Sequence, residues 1–399
     1  MDTESKNSEA PPPFYRLDPL VPILFVTLVF FLTFLARVMF SPLLPRIEEE
    51  TGIGHAQAGS LFLVMSVGYF IALTSSGFVS ARILHRRTIV SAICGTGCGL
   101  LLASLSGEFW QLGISVFILG CGAGLYLPSG ITTLTSMTDH RNWGKAVSIH
   151  EMAPNLAFVA APALAELFLL RFAWRSMPAV VGVVAIATGI MFAFFAKGGD
   201  FADKPPNRKT VGRVTANRSF WIMVLLFGLA ISSTMGVYTM LPLYLVEVIE
   251  VKRSFANSLL SFSRLPGLAM ALIAGLATDR YGPRRTIVFM LGLTGLSTVL
   301  LGVCRSPATA TVLVICQAAL STGYFPAGFA MLSSIVPQEL RSVTISLAIP
   351  LAFVFGGGIA PTIIGAAGDA GYFSAGIIAV GGLICAGALL PVFFKISRT

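Results

Sequence analysis

The sequence repeats itself at an offset of 198 residues. Arg-Arg-Thr-Ile-Val occurs at residues 86–90 and again at residues 284–288. The same offset pairs further residues without a gap: Gly77 with Gly275, Arg82 with Arg280, Tyr126 with Tyr324, Pro128 with Pro326, Gly130 with Gly328 and Ser148 with Ser346. Because the offset is almost half of the 399 residues, the chain is predicted to be built from two copies of one unit.

The composition predicts that this chain has lipid as its solvent. Hydrophobic residues make up 55% of the chain and charged residues 11%, whereas soluble domains carry roughly 25% charged residues. So few charges cannot cover a water-facing surface. The net charge of +9 does not indicate a nucleic-acid partner, because the basic residues lie in short loops between apolar segments, as in membrane proteins.

Twelve segments are long and apolar enough to span a bilayer, which takes about 20 mostly apolar residues. The predicted spans are 19–45, 56–81, 88–106, 109–137, 144–169, 173–196, 219–246, 255–278, 286–304, 307–335, 343–366 and 371–394. They predict an all-α membrane protein of twelve transmembrane helices. Its predicted parts are an N-terminal tail (1–18), a first six-helix half (19–197), a linker (198–218) and a second half with a short tail (219–399).

Lysine and arginine predict the orientation in the membrane. With both termini in the cytosol, 19 basic residues lie on the cytosolic side and 6 on the outer side. This bias matches the positive-inside rule, so we expect both termini and the linker to be cytosolic in a bacterial cytoplasmic (inner) membrane. The polar first 18 residues lack the basic start and cleavage site of a signal peptide.

The most specific motif is Gly-Leu-Ala-Thr-Asp-Arg-Tyr-Gly-Pro-Arg-Arg at residues 275–285, at the end of span 8. It resembles the G-x-x-x-D-R-x-G-R-R/K signature of the major facilitator superfamily, and a related copy follows span 2. The resemblance covers the whole chain and implies the major facilitator fold, with alternating access to a site between the halves. It also implies a latch at the cytosolic gate, a role that the resemblance gives to Asp279 and Arg280. The two copies of the gate motif contain Gly275, Asp279, Arg280, Gly282 and Arg284, and Gly77, Arg82 and Arg86.

The first copy of this motif departs from the pattern, because Ala81 replaces the acid and Leu84 replaces the second glycine. Three interpretations stay open on sequence alone. Another acid substitutes, with Asp139 in the next cytosolic loop as a candidate; or the latch is one-sided; or the arginines only anchor the loop on the inside.

Two arginines lie inside predicted spans. Arg37 is roughly 25 Å up span 1 and Arg264 roughly 22 Å up span 8, at 1.5 Å per residue. An ionisable residue at such depth normally faces a cavity, and arginine binds carboxylate or phosphate bidentately. The pair therefore predicts an anion site. In the alternative, the arginines bind backbone carbonyls at helix breaks, as Pro266 suggests for Arg264, or Arg37 reaches outward to the interface.

His150 and Glu151 open span 5 and are predicted to couple transport to protons, because histidine titrates near neutral pH and a desolvated glutamate approaches that range. They lie about 9 Å above the start of the span, well below the arginines. The alternative is a structural hydrogen bond or gate near the rim, with Lys145 as a partner of Glu151. The resemblance also implies that polar residues of the cavity-lining spans lie near the substrate. These residues are Tyr126, Tyr324, Tyr238 and Asn155. In the alternative, they only form hydrogen bonds between helices.

Motifs of enzymes and metal sites are missing from the sequence. His150 and Glu151 begin an H-E-x-x-H zinc motif, but Pro154 stands at the second histidine. The six cysteines lie in apolar stretches and are predicted to be buried free thiols. We expect a monomer among membrane lipids, with no enzyme activity, cofactor, metal or nucleic-acid partner.

The sequence as a whole predicts a secondary transporter that moves a small organic anion together with protons. The alternative is proton-driven export of an amphipathic, drug-like compound. Residues 157–165 of span 5 are similar to an exporter motif but carry alanine at its glycine positions, and span 1 lacks the membrane acid common in such exporters.

Overall fold

The computed structural model describes residues 17–202 and 208–393, and within these ranges the regular structure is helical. The spans are Leu17–Val38 with Phe40–Thr51, His55–Ile83, His85–Leu105, Phe109–Ser136, Trp143–Leu169, Ser176–Phe195, Arg218–Ile231 with Ser232–Val237 and Tyr238–Glu247, Arg253–Ser263 with Leu265–Tyr281, Pro283–Val303, Pro307–Thr322 with Tyr324–Ser334, Arg341–Phe353 with Val354–Ile359 and Ala360–Asp369, and Phe373–Gly387. Of the described helices, eleven are long and apolar enough to cross a membrane, and Phe373–Gly387 is a shorter apolar one. The predicted fold class is confirmed.

Span 1 is longer than predicted. The sequence places Arg46 in an outer loop, whereas the helix continues through Pro45 to Thr51 and ends at Gly52, whose φ is +69°. The segment Arg46–Glu50 is charged because it is the water-facing end of a helix. A hydropathy pattern therefore ends the span too early, while the left-handed glycine marks the true end.

The twelve spans pack as two sets, which we call the first set (spans 1–6) and the second set (spans 7–12). Within the first set, span 4 packs on spans 2 and 3, and span 5 packs on span 1; within the second set, span 12 packs on span 9, and span 10 packs on span 8. Three contacts join the sets: span 2 with span 11, span 5 with Arg253–Ser263, and Phe40–Thr51 with Tyr238–Glu247. The bundle end that holds Thr51 and Glu247 is called the outer rim, and the opposite end the inner rim, after the predicted orientation.

Small residues allow the contact between spans 2 and 11. A Cβ on Gly59 would lie 2.5 Å from the Pro361 carbonyl oxygen, so only glycine permits this approach of the two backbones. On the neighbouring contact, the Ser41 hydroxyl donates to the carbonyls of Tyr238 and Thr239 at 3.2 and 3.0 Å. The sets are thus joined closely between the membrane middle and the outer rim.

Span 11 contains one residue more than its counterpart, span 5. Ser148 and Ser346 are 198 residues apart, but Pro162 and Pro361 are 199 apart. Span 5 is a regular α-helix, whereas span 11 has a π-helical turn at Val354–Ile359, between the serine and the proline. A wider π turn accommodates an extra residue without changing the helix on either side.

The ends and the linker are described in part. The first helix begins at Leu17, so most of the predicted tail (1–18) lies outside the described residues, as do 203–207 and 394–399. The predicted linker contains a short helix, Arg208–Thr215. The six cysteines are free, but the prediction that all are buried is wrong, because four are only partly buried and two, Cys98 and Cys316, are exposed. Those two are exposed because the lipid-facing surface of a span is as apolar as its interior.

Candidate functional site

Arg37 and Arg264 are buried, each with 6% of its surface exposed. In the part of the chain that the structure describes, no ion pair within 4.0 Å joins either guanidinium to a carboxylate. Arginine remains charged even when buried. Each side chain therefore carries a positive charge that is not paired with any acidic side chain of the described residues.

Aromatic rings enclose the Arg37 guanidinium. Its central carbon lies 4.1 Å from the ring centre of Tyr69, 4.7 Å from that of Phe353 and 5.2 Å from that of Phe34. The faces of such rings carry negative electrostatic potential, so they attract the cation. Tyr69 belongs to the first set and Phe353 to the second, so Arg37 lies between rings of both sets.

Arg264 is held in the same way. Its guanidinium lies 4.2 Å from the ring of Phe158, in the first set, and 4.4 Å from the ring of Tyr238, in the second. One Nη donates to the Thr234 carbonyl at 2.7 Å, and Nε is buried without a hydrogen-bond partner. The Tyr238 hydroxyl donates across to the Phe158 carbonyl at 3.2 Å.

The two enclosures form one aromatic cluster, because the rings of Phe34 and Phe158 meet edge to face with centres 5.3 Å apart. The structure thus brings Arg37 and Arg264 to one junction between the sets. The arginines are not related by the repeat: Met235 stands 198 residues after Arg37, and Ser66 stands 198 residues before Arg264.

Local helix breaks position Arg264. The residue separates Arg253–Ser263 from Leu265–Tyr281, where Pro266 opens the second segment. Across from it, span 7 has a π-helical turn at Ser232–Val237. There the N–H of Tyr238 donates to the Met235 carbonyl, and Arg264 is a donor to the Thr234 carbonyl. This contact matches the helix-break alternative for one nitrogen and leaves Nε unpaired.

The predicted proton-coupling residues lie in contact with a predicted substrate residue. His150 is buried; its Nε2 lies 2.9 Å from the Tyr126 hydroxyl and its Nδ1 3.3 Å from Glu151 Oε1. The Tyr126 hydroxyl donates to the Val26 carbonyl at 2.7 Å, and the Phe30 ring stacks on His150 at 4.4 Å. The Glu151 side chain is 51% exposed, so the chain of contacts runs from an accessible carboxylate to a buried tyrosine.

The remaining predicted substrate residues are less informative. Tyr324 is buried against Phe227, and its hydroxyl has no hydrogen-bond partner. The Asn155 amide lies 3.4 Å from the Glu151 carbonyl. Of the aromatic neighbours of the arginines, the sequence analysis named Tyr238 but missed Phe34, Tyr69, Phe158 and Phe353, because nothing in the sequence distinguishes those four from ordinary span residues.

The gate motif lies at the inner rim. Asp279, Arg280 and Arg82 are exposed, and Arg284 and Gly77 are partly buried. A Cβ on Gly275 would meet nothing within 4 Å, so none of the described residues of another helix packs closely on this glycine.

The first copy of the motif does have an acidic partner. Arg86 Nη1 lies 3.2 Å from a carboxylate oxygen of Asp200, at the start of the linker. The candidate Asp139 instead accepts from the N–H of Arg141 at 2.9 Å. An acid other than Asp139 thus lies beside the first copy, and it comes from the start of the linker, which sequence spacing could not indicate.

The turn of the motif is kept even where its glycine is lost. Gly282 has φ +85° and ψ 154°, and Leu84 has φ +72° and ψ 154°. This region is open to glycine and strained for any residue with a Cβ.

A cluster of ionisable side chains lies away from the membrane middle. At the outer rim, Glu48, His55 and Glu247 bring one carboxylate oxygen or ring nitrogen each within 4.8 Å of the others. His55 contacts both carboxylates, each at 2.9 Å.

Known proteins resemble the chain in sequence. Residues 26–270 and 251–399 match the family model described as Major Facilitator Superfamily. Multidrug resistance protein MdtL of Klebsiella pneumoniae (strain 342) is 23% identical over 327 residues, which are 78% of this chain and 80% of that protein. The probable sulfoacetate transporter SauU of Cupriavidus necator is 24% identical over 189 residues, 47% of this chain and only 42% of its own length.

Solved structures share the fold. A bacterial homologue of the human lysosomal transporter Spinster, inward-facing and unoccupied, superposes with a TM-score of 0.77 at 14% identity, covering 96% of both chains. The nucleoside transporter NupG gives a TM-score of 0.76 at 13% identity, over 94% of this chain and all of that one. At these identities the likeness concerns the fold alone.

Proposed function

The chain belongs to the Major Facilitator Superfamily, and on that premise we propose that it carries a small organic anion across the membrane together with protons. One observation supports the proposal: two buried guanidiniums, one from each set, lie at the junction of the sets, and among the described residues neither has a carboxylate within 4.0 Å. Removing a charge from water is costly unless a counter-charge compensates. A bound anion supplies that counter-charge.

The geometry favours recognition by hydrogen bonds as well as charge. Nε of Arg264 is a buried donor without an acceptor, beside an Nη that is held by the Thr234 carbonyl. A carboxylate, sulfonate or phosphate oxygen satisfies such a donor, and charge-assisted hydrogen bonds are the strong ones. The aromatic faces stabilise each guanidinium while the site is empty and exclude water around it.

Glu151 and His150 are our candidates for proton coupling. The half-exposed carboxylate of Glu151 exchanges protons with water, and His150 beside it is hydrogen-bonded to buried Tyr126. Protonation of Glu151 removes a negative charge from the first set. With that carboxylate neutral, entry of the substrate anion is less opposed by charge repulsion. This is the electrostatic basis of the proposed symport.

Export of an amphipathic compound is the second candidate. The rings of Phe34, Phe158 and Phe353 offer an apolar lining, and a multidrug resistance protein is among the relatives. Two unneutralised arginines repel the lipophilic cations that many such pumps carry. The charge balance of the cluster therefore favours the anion.

We further propose alternating access by a monomer, with spans 1–6 (19–197) and 7–12 (219–399) as the moving halves. The lysine and arginine bias supports cytosolic termini and a bacterial inner membrane. Movement of one set against the other separates rings that enclose each guanidinium, because the rings around each arginine come from both sets.

Ligand-induced thermal stabilisation of the purified protein tests the proposal. Small carboxylates, sulfonates and phosphates are compared with lipophilic cations, on the wild type and on Arg37→Gln, Arg264→Gln and, as a control, the exposed Arg46→Gln. A ligand at 100 times its Kd adds about 2.7 kcal/mol of stability. We expect an anion to stabilise the wild type and the control but neither buried-arginine variant. Stabilisation by lipophilic cations alone, unchanged in all variants, contradicts the anion site.

A further inference from the structure

Polar bridges between the two sets collect at the outer rim. His55 of span 2 lies at the centre: its Nδ1 is 2.9 Å from Glu48 Oε2 of span 1, and its Nε2 is 2.9 Å from Glu247 Oε2 of span 7. The Glu48 contact stays within the first set, whereas the Glu247 contact crosses to the second. The His55 ring therefore contacts one carboxylate of its own set and one carboxylate of the other set.

Further bridges surround this one. The Asp369 carboxylate of span 11 accepts from the backbone N–H groups of His55 and Ala56 at 2.7 and 3.0 Å. Glu166 of span 5 pairs with Arg253 of span 8 at 3.2 Å. At the inner rim, by contrast, the Arg86–Asp200 pair joins the first set to the start of the linker.

We propose that the Glu48–His55–Glu247 bridge is the lock that closes the outer side of the transporter, and that it responds to pH on that side. The imidazole binds both carboxylates as an ion pair only while it is protonated, and Glu247 only while it is ionised. Opening breaks the His55–Glu247 contact and keeps the Glu48–His55 contact. A cleft of about 460 Å³, lined by Arg46, Glu48, Glu49, Glu247 and Arg253, leads outer water to the bridge.

The charges that face His55 decide the direction of the pH response. Glu48, Glu247 and Asp369 surround the ring and its backbone from spans 1, 7 and 11. The nearby arginines already have partners, since Arg46 pairs with Glu49 and Arg253 with Glu166. Raising the pH removes the imidazolium charge and leaves carboxylates that repel one another, so the lock opens.

The distance between the sets at the outer rim tests the proposal without any substrate. Spin labels are placed at Gly107→Cys and Ser306→Cys, in a chain whose six native cysteines are replaced by serine, and distances are measured by pulsed electron resonance in lipid nanodiscs. We compare His55→Gln and Glu247→Gln with Arg46→Gln, whose native pair lies within one helix of the same rim.

We expect the fraction of molecules with a widened outer rim to rise about two- to fivefold in His55→Gln and in Glu247→Gln, as one partly exposed ion pair supports. The same widening should appear in the wild type as the pH is raised, but not in His55→Gln. An unchanged distribution in both variants overturns the lock, as does equal widening in Arg46→Gln. Because no anion is present, this outcome is independent of the anion site.

Discussion

Leu84 occupies a backbone conformation that suits glycine. Its φ of +72° and ψ of 154° are close to the backbone angles of Gly282 in the second motif copy, although leucine, unlike glycine, has a Cβ. Residues held in this region cost of the order of 1–3 kcal/mol, so neighbouring contacts hold the turn in place. The backbone N–H of His85 donating to the Phe201 carbonyl at 3.2 Å is one such contact.

We expect Leu84→Gly to stabilise the protein, by about 1 kcal/mol after the entropy cost of glycine is subtracted from the relieved strain. Thermal unfolding in detergent measures the change. Leu84→Ala is the matched control, because it loses the leucine contacts and keeps the strained Cβ. If Leu84→Gly is less stable than Leu84→Ala, the turn is not strained.

Arg264 should be needed for transport rather than for folding. Arg264→Lys keeps a charge but loses the planar donor group, and Arg264→Ala loses both. Hydrogen bonds to charged groups contribute about 1.5–3 kcal/mol, so we expect anion uptake into proteoliposomes to fall about 10- to 100-fold in either variant. Arg46→Ala should transport normally. Wild-type uptake by Arg264→Ala would show that the guanidinium is structural.

Glu151 should determine the pH dependence of uptake. In Glu151→Gln the side chain can no longer release or accept a proton, so we expect anion addition to stop alkalinising the medium outside the vesicles. A pH-sensitive dye reports this directly. Glu108→Gln, an acid at the start of span 4, should leave alkalinisation unchanged. Persistence of the signal in Glu151→Gln excludes that carboxylate as the proton carrier.

At the scale of helices, the π-helical turn of span 11 lies directly against span 7. A Cβ on Gly356 would lie 2.5 Å from both the Gly228 carbonyl oxygen and the Ser232 nitrogen. The turn therefore packs the backbone of span 11 at Gly356 directly on the backbone of span 7, close to the Thr234 carbonyl that Arg264 contacts. Here the extra residue of span 11 meets the π-helical turn of span 7 that carries Thr234.

Gly356→Ala should destabilise the protein by about 1–3 kcal/mol, the usual cost of overpacking. Gly382→Ala in span 12 is the control, because its Cβ would meet nothing within 4 Å. We expect that control to be neutral or slightly stabilising, since alanine favours helices over glycine. Equal melting temperatures for the two variants would mean that span 11 moves away to make room.

The repeat and the hydropathy pattern predicted the helices well, because crossing a bilayer takes about 20 mostly apolar residues. The site was harder to predict. Arg37 and Arg264 stood out as charges in apolar segments, but Phe158 resembles lipid-facing Phe194, which is 75% exposed, in everything the sequence offers. His55 and Glu247 lay just outside the predicted spans and are 192 residues apart, so no local pattern relates them.

For the whole molecule, each guanidinium lies between one ring from each set: Tyr69 and Phe353 for Arg37, and Tyr238 and Phe158 for Arg264. Rearrangement of the sets must break one cation–π contact at each arginine. In the proposed function, an anion replaces those contacts and so lowers the cost of the movement. On that proposal, binding and movement are linked through the same two side chains.

Phe158→Leu and Phe353→Leu should weaken that link. A cation–π contact contributes about 1 kcal/mol, so we expect the KM for the anion to change about fivefold while the melting temperature changes little. Phe194→Leu, on the exposed surface, serves as the control. If all three variants have the same KM for the anion, the rings of Phe158 and Phe353 contribute only apolar packing.

The two arginines occupy spans that the repeat does not relate, with Met235 and Ser66 at the corresponding positions. The halves are alike in outline, but their chemical faces at the junction are different. At the proposed site, a ligand with two unlike ends would therefore contact two chemically different surfaces and have one preferred orientation. The reversed orientation of the same ligand gives a different complex. A scaffold with two similar halves can therefore distinguish the two ends of its ligand.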